Sequence, residues 1–114
     1  MSTSPQPAAA RVRVCKTVDV PRNGMRCFVV GGCPVLIANV EGDFYAIADT
    51  CTHANGSLSS GRLDPAAKTV ECPEHAAIFD LKSGEALAYP AERPVAAYRL
   101  KVEGDDLHVC VETD

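Results

Sequence analysis

The stretch from Asp49 to His75 reads DTCTHANGSLSSGRLDPAAKTVECPEH, and two short pairs inside it decide how the chain is read. They are Cys51-Thr52-His53 and Cys72-Pro73-Glu74-His75, together C-x-H-x18-C-x2-H. Cys51 and His53 alternate with Thr52, so in an extended loop both side chains point the same way. Cys72 and His75 span one tight turn, which Pro73 restrains. Each pair offers one thiolate and one imidazole, donors that select zinc, iron or copper over magnesium or calcium. Three chemistries compete on ligand type alone. Tetrahedral structural zinc fits the count of two cysteines and two histidines. A [2Fe–2S] cluster with mixed ligation fits it equally. A cysteine nucleophile with a histidine base leaves the second pair unexplained.

At 114 residues there is room for one domain with a modest core. The formal charge is −4 and no basic cluster appears, which argues against nucleic acid and anionic membranes as partners. No apolar run approaches membrane-spanning length. Residues 1–10 lack the apolar core and basic flank of an export signal and, with Ser2, Ser4, Pro5 and Pro7, read as a disordered tail. The expected compartment is the cytoplasm, where thiols stay reduced. The six cysteines are therefore not read as disulfides. Cys15, Cys27, Cys33 and Cys110, in apolar strand-like stretches, are expected to be small buried hydrophobes.

Helical periodicity is almost absent. Val12, Val14, Val18 and Val20 alternate with polar residues as one half-buried strand. Asn23-Gly24 marks a turn before a strand at Cys27–Val30, and Gly31-Gly32 breaks it. The apolar run Val35–Val40, the turn Glu41-Gly42-Asp43 and Phe44–Ala48 form a hairpin. Near the C-terminus Tyr98, Leu100 and Val102 alternate, Gly104-Asp105-Asp106 turns, and Leu107, Val109 and Val111 alternate again. Short strands Thr69–Cys72 and Ile78–Leu81, with a turn at Lys82-Ser83-Gly84-Glu85, lie between. This density of strands predicts an all-β sandwich or barrel carrying a small β subdomain, which holds both ligand pairs.

Asp49-Thr50-Cys51-Thr52-His53 and Glu71-Cys72-Pro73-Glu74-His75 resemble the two cluster-binding boxes of Rieske proteins. Phe44-Tyr45-Ala46, Gly61-Arg62-Leu63, Phe79-Asp80, Ser83-Gly84, Pro94 and Val102-Glu103-Gly104-Asp105 fall where such proteins place similar residues. The resemblance covers roughly residues 12–112 and is greatest to the soluble Rieske-type ferredoxins of bacterial aromatic-ring-hydroxylating oxygenases. It implies an all-β fold, an antiparallel β-sandwich base with an inserted cluster-binding subdomain at about residues 48–92, within one domain over 11–114. It implies one [2Fe–2S] cluster, with Cys51 and Cys72 on one iron and His53 and His75 on the other. It implies no catalytic residue: the chain would carry electrons from a flavin-containing NAD(P)H reductase to a terminal Rieske non-haem iron oxygenase. The small subunit of an NAD(P)H-dependent nitrite reductase is the second reading, and a zinc-binding module the third.

With this ligation two ferric ions, two sulfides and two thiolates sum to zero, so one added electron gives −1 rather than the −3 of a four-cysteine cluster. The potential rises to about −150 mV or above, from about −400 mV for plant-type ferredoxins. High-potential relatives carry a loop disulfide, whose cysteines would fall at Gly56 and Glu74, and a serine that would fall at Ala77. Their absence implies a potential near the lower limit. Ala76 stands where relatives often have glycine. Asp64-Pro65-Ala66-Ala67-Lys68 reads as a slightly long surface tip. Ala54, Ala76, Ala77 and Pro90 are expected to rim the imidazoles as a docking patch, and His108 is read as structural.

Overall fold

The computed structural model of the protein describes residues 9–50, 56–73, 77–88 and 93–112. In chain order its strands are β1 (Ala9–Lys16), β2 (Gly24–Val30), β3 (Cys33–Val40), β4 (Asp43–Ala48), β5 (Arg62–Asp64), β6 (Thr69–Glu71), β7 (Ile78–Asp80), β8 (Ala86–Ala88), β9 (Ala97–Glu103) and β10 (Asp106–Glu112). They form a six-stranded sheet, β1-β10-β9-β4-β3-β2, and a four-stranded sheet, β5-β6-β7-β8. All pairings are antiparallel. The small sheet is inserted between β4 and β9, as expected. The base is two three-stranded halves joined by a short seam, Ala46 opposite Tyr98 and Ile47 opposite Ala97.

The run Val35–Val40 is apolar because β3 is buried on both faces. Leu36, Ala38 and Val40 pack with Ile47, Leu58, Val70, Phe79 and Leu81, in the core shared with the small sheet. Val35 and Ile37 point the other way, to Val30, Ala46, Leu107 and Val109 between the halves of the base. Full burial of Leu36 or Ile37 contributes roughly 1.5–3 kcal/mol each. β3 is thus a common wall between two cores.

The β3–β4 hairpin closes through Glu41 and Gly42, with φ of 53° and 96°, the left-handed pair that a two-residue hairpin favours. Asn23 and Arg22 donate to the Glu41 carboxylate and, in that order, hold its pKa below the usual range. Asn39 is buried beneath this turn. Its Nδ2 donates to Val20 O at 3.0 Å, and its Oδ1 accepts from Gly42 N at 2.9 Å. Asn39→Leu leaves both groups without a partner and is expected to cost about 2 kcal/mol, read as a lower denaturant midpoint at unchanged slope.

The structure differs from the sequence reading in several places. β1 begins at Ala9, so Ala9 and Ala10, assigned to the tail, belong to a strand; residues 1–8 lie outside the described residues. The expected strand over Val12–Val20 breaks at a 3-10 turn, Thr17–Asp19, where Lys16 N donates to the Asp19 carboxylate. A register shift between Arg13 and Cys15 puts Cys15 rather than Val14 fully into the core. Of the cysteines expected to be buried, only Cys15 is; Cys27 and Cys33 are exposed and Cys110 is half-buried. β5 and β8, of three residues each, were not anticipated as strands. The Asp64–Lys68 tip is an exposed turn, as read, with Asp64 accepting from Ala66 N and Ala67 N. His108, in β10, has Nε2 3.6 Å from Glu103 of β9, which agrees with a structural role.

Candidate metal centre

Of the four expected ligands, Cys72 is described; Cys51, His53 and His75 lie outside the described residues, as do Ala54, Glu74, Ala76 and Pro90. The described residues root both ligand-bearing loops. Around the first, Thr50 and Ser57 form an antiparallel bridge, and Leu58 N donates to Asp49 O at 2.7 Å. Asp49 is buried, 4% exposed. Its carboxylate accepts from Ser59 N at 2.7 Å and from the Ser57 hydroxyl, which in turn lies 2.9 Å from the Ser59 hydroxyl. Asp49 N donates to Pro34 O, fixing the loop's entry to the start of β3. One aspartate therefore clasps the entry and exit of the first loop.

The second loop continues the β6–β7 hairpin. Glu71 pairs with Ile78, and Cys72 N donates to Ala77 O at 2.7 Å. Cys72 is 1% exposed, inside the core that also holds Leu58 and Ala77. Because Leu58 ends the first loop and Cys72 and Ala77 bound the second, the two loops are rooted side by side. Ala77, expected on the docking rim, is instead fully buried: its carbonyl closes the loop and its methyl joins the core.

Glycine sets how closely these roots approach. A Cβ on Gly61 would overlap the Glu71 carbonyl oxygen and lie 3.1 Å from Pro73 Cδ. Gly84 has φ +79°, and a Cβ there would overlap Val95 O. Gly84 N donates to Asp80 O and its carbonyl accepts from Val95 N, tying the insertion to the segment that returns to the base.

The residues present suit a buried iron–sulfur centre. Cys72, 1% exposed at a loop root, offers a soft sulfur donor of the kind iron takes. The pairing of one thiolate and one imidazole per loop matches mixed ligation of two irons. Sequence reasoning quoted Asp49 and Gly61 only as parts of a resemblance and missed their work. The signal was present as an acid at the loop's entry and two hydroxyls, Ser57 and Ser59, at its exit.

Cys27 lies on β2 opposite Leu36. Partial burial first, then the nearby Asp49 carboxylate, push its thiol pKa up. Thiolate is the reactive form, so Cys27 in the native protein is expected to alkylate several-fold more slowly at pH 7.5 than in the urea-unfolded chain. The gap should close as pH passes the raised pKa. Equal rates by peptide mass spectrometry at pH 7.5 contradict the raised pKa.

Residues 10–99 match the Rieske [2Fe-2S] domain. The chain belongs to the Rieske [2Fe–2S] domain family. Among curated Rieske relatives, the 3-phenylpropionate/cinnamic acid dioxygenase ferredoxin subunits of Shigella flexneri serotype 5b and Escherichia coli K12 are each 45% identical over 100 residues, 87% of this chain and 92% of theirs. The ferredoxin of carbazole 1,9a-dioxygenase from Nocardioides aromaticivorans IC177 superposes with a TM-score of 0.85 at 31% identity, over 88% of this chain and 96% of that one. A ferredoxin solved in a complex of reduced oxygenase and oxidized ferredoxin of carbazole 1,9a-dioxygenase gives 0.82 at 31%, over 91% and 95%. A nitrite reductase small subunit gives 0.76 at 19% and shares the Rieske fold alone. No helix among the described residues is long and apolar enough to cross a membrane.

Proposed function

We propose that this Rieske protein is a ferredoxin that carries single electrons from a flavin-containing NAD(P)H reductase to a terminal Rieske non-haem iron oxygenase. The observation that carries the reading is the nearly end-to-end match to dioxygenase ferredoxin subunits, 92% of their length at 45% identity. The nitrite reductase reading has only the shared fold behind it, and family membership leaves no support for the zinc module.

Cys51, His53, Cys72 and His75 would hold one [2Fe–2S] cluster, with the two cysteines on one iron and the two histidines on the other. The cluster would supply a one-electron acceptor whose charge changes only from zero to −1. The chain's own residues do the rest. Asp49, Ser57 and Ser59 fix the first loop, and Cys72 N with Ala77 O fixes the second. The apolar layer of Leu58, Ala77, Phe79 and Leu81 excludes water from the roots. Low potential follows from Ala77, which offers no hydroxyl to stabilise the reduced centre. The working compartment would be the cytoplasm.

The test uses protein purified anaerobically. A red-brown colour, a Rieske-type EPR signal on reduction, and restoration of NADH-dependent turnover when the chain is added to a reductase and a ring-hydroxylating oxygenase are expected. Colourless, iron-free protein sinks the reading; a cluster that no reductase–oxygenase pair uses removes the shuttle role.

A further inference from the structure

We propose that the outer face of β1, β10 and β9 is a docking surface on which the ferredoxin holds an acidic segment of its terminal oxygenase. The inference rests on the ferredoxin reading above and names the surface chemistry of one partner. Leu107 and Val109 point into the core of the base, so Asp106, His108 and Cys110 face outward. Directly opposite residues of an antiparallel pair share a face. The register therefore sets Arg13 of β1 and Lys101 of β9 on either side of His108, and Arg99 of β9 beside Cys110. Lys16 and Glu103 flank Asp106 in the next row. A chain of formal charge −4 thus gathers four cations, Arg13, Lys16, Arg99 and Lys101, against two carboxylates on one sheet face. These cations come from opposite ends of the chain, so no cluster shows in the sequence.

β1 and β9 lie two strand spacings apart, roughly 10 Å. Their exposed cations form two rims along a shallow trough, with half-buried His108 and Cys110 as its floor. The complement of that shape and charge is a short stretch of carboxylates. Arg13 Nε lies 3.0 Å from Asp106, and Lys101 Nζ lies 3.9 Å from Glu103. Exposed pairs of this kind hold weakly and exchange readily for a partner's carboxylates. Arg99 makes no ion pair among the described residues and is the cation a partner gains whole. A long polyanion would meet Asp106 and Glu103 at one end of the trough, whereas a short acidic segment meets only the rims. The oxygenase is the partner assigned because a related ferredoxin forms a complex with the oxygenase of carbazole 1,9a-dioxygenase.

The experiment takes the cluster-loaded protein with the oxygenase and reductase of a ring-hydroxylating system whose turnover it supports. Dissociation constants are measured for each partner at low and at high salt. Arg99→Glu is expected to weaken oxygenase binding roughly fivefold at low salt, and high salt to erase the difference from the parent. Lys82→Glu makes the same change of net charge in an exposed turn of the insertion and is expected to weaken binding by less than about twofold. Oxygenase binding by Arg99→Glu at the parent's strength overturns the proposal. So does equal weakening by Lys82→Glu, which marks net charge rather than this face, and so does an effect confined to the reductase. Should Arg99→Glu fail to fold, Lys101→Gln decides: weaker oxygenase binding supports the proposal, and unchanged binding overturns it. A parent that supports no reductase–oxygenase pair overturns the ferredoxin reading itself, a result distinct from a working parent whose variants bind alike.

Discussion

Cys72→Ala is expected to reduce bound iron to near zero, while Cys15→Ala retains the parent's iron content. The two residues make a matched pair. Both are buried, at 1% and 5% exposure, and each belongs to one of the two cores. Truncating either leaves a small cavity, at a cost of about 1 kcal/mol. What separates them is place. Cys72 stands at the root of the second loop, where it would bind iron, whereas Cys15 lies in β1 of the base, with a pKa raised first by its burial. A cluster missing one thiolate loses both a ligand and the charge that balances ferric iron. Iron and acid-labile sulfide analysis beside a thermal melt checks the prediction: equal iron loss in both variants would make it a matter of stability, not ligation.

The second large effect is expected at Gly61. A methyl there cannot be accommodated by a side-chain rotation, because the atom it meets is the Glu71 carbonyl oxygen. The Arg62–Glu71 pair must open, taking with it the strand that delivers Cys72. Gly61→Ala is expected to destabilise by about 3 kcal/mol, a drop in melting temperature of roughly 10 °C, and to lower cluster content after purification. Gly42→Ala is a fair comparison, since nothing lies within 4 Å of its added Cβ and only the positive φ of +96° opposes it. If Gly61→Ala melts no lower than Gly42→Ala, the backbone collision is not the controlling contact.

Much of the fold was legible because its signals are local. Alternation over Tyr98–Val102 and Leu107–Val111 with a turn between is sufficient to specify the β9–β10 hairpin, and Glu41-Gly42 specifies the β3–β4 hairpin. The parts that were not legible depend on contacts distant in sequence. The shift between Arg13 and Cys15 is set by pairing with β10, nearly a hundred residues away, so no window around Val14 discloses it. Cys27 and Cys33 look like core residues by type, but β2 ends the six-stranded sheet and leaves Cys27 uncovered. Three-residue strands such as β5 and β8 are too short for periodicity to register. In the candidate centre, the paired cysteines and histidines are an expectation from sequence alone, and the family match agrees with the [2Fe–2S] cluster they imply. The clasp around Asp49 was not legible, because it depends on loop ends meeting, and neither was the burial of Ala77, whose methyl looks the same in sequence on a rim or in a core.

β3 contributes Leu36, Ala38 and Val40 to one core and Val35 and Ile37 to the other. The four-stranded sheet rests on the outer side of a strand whose inner side fills the base. Heat or denaturant that loosens either layer removes support from its neighbour, so colour and sheet should vanish together, in one cooperative event.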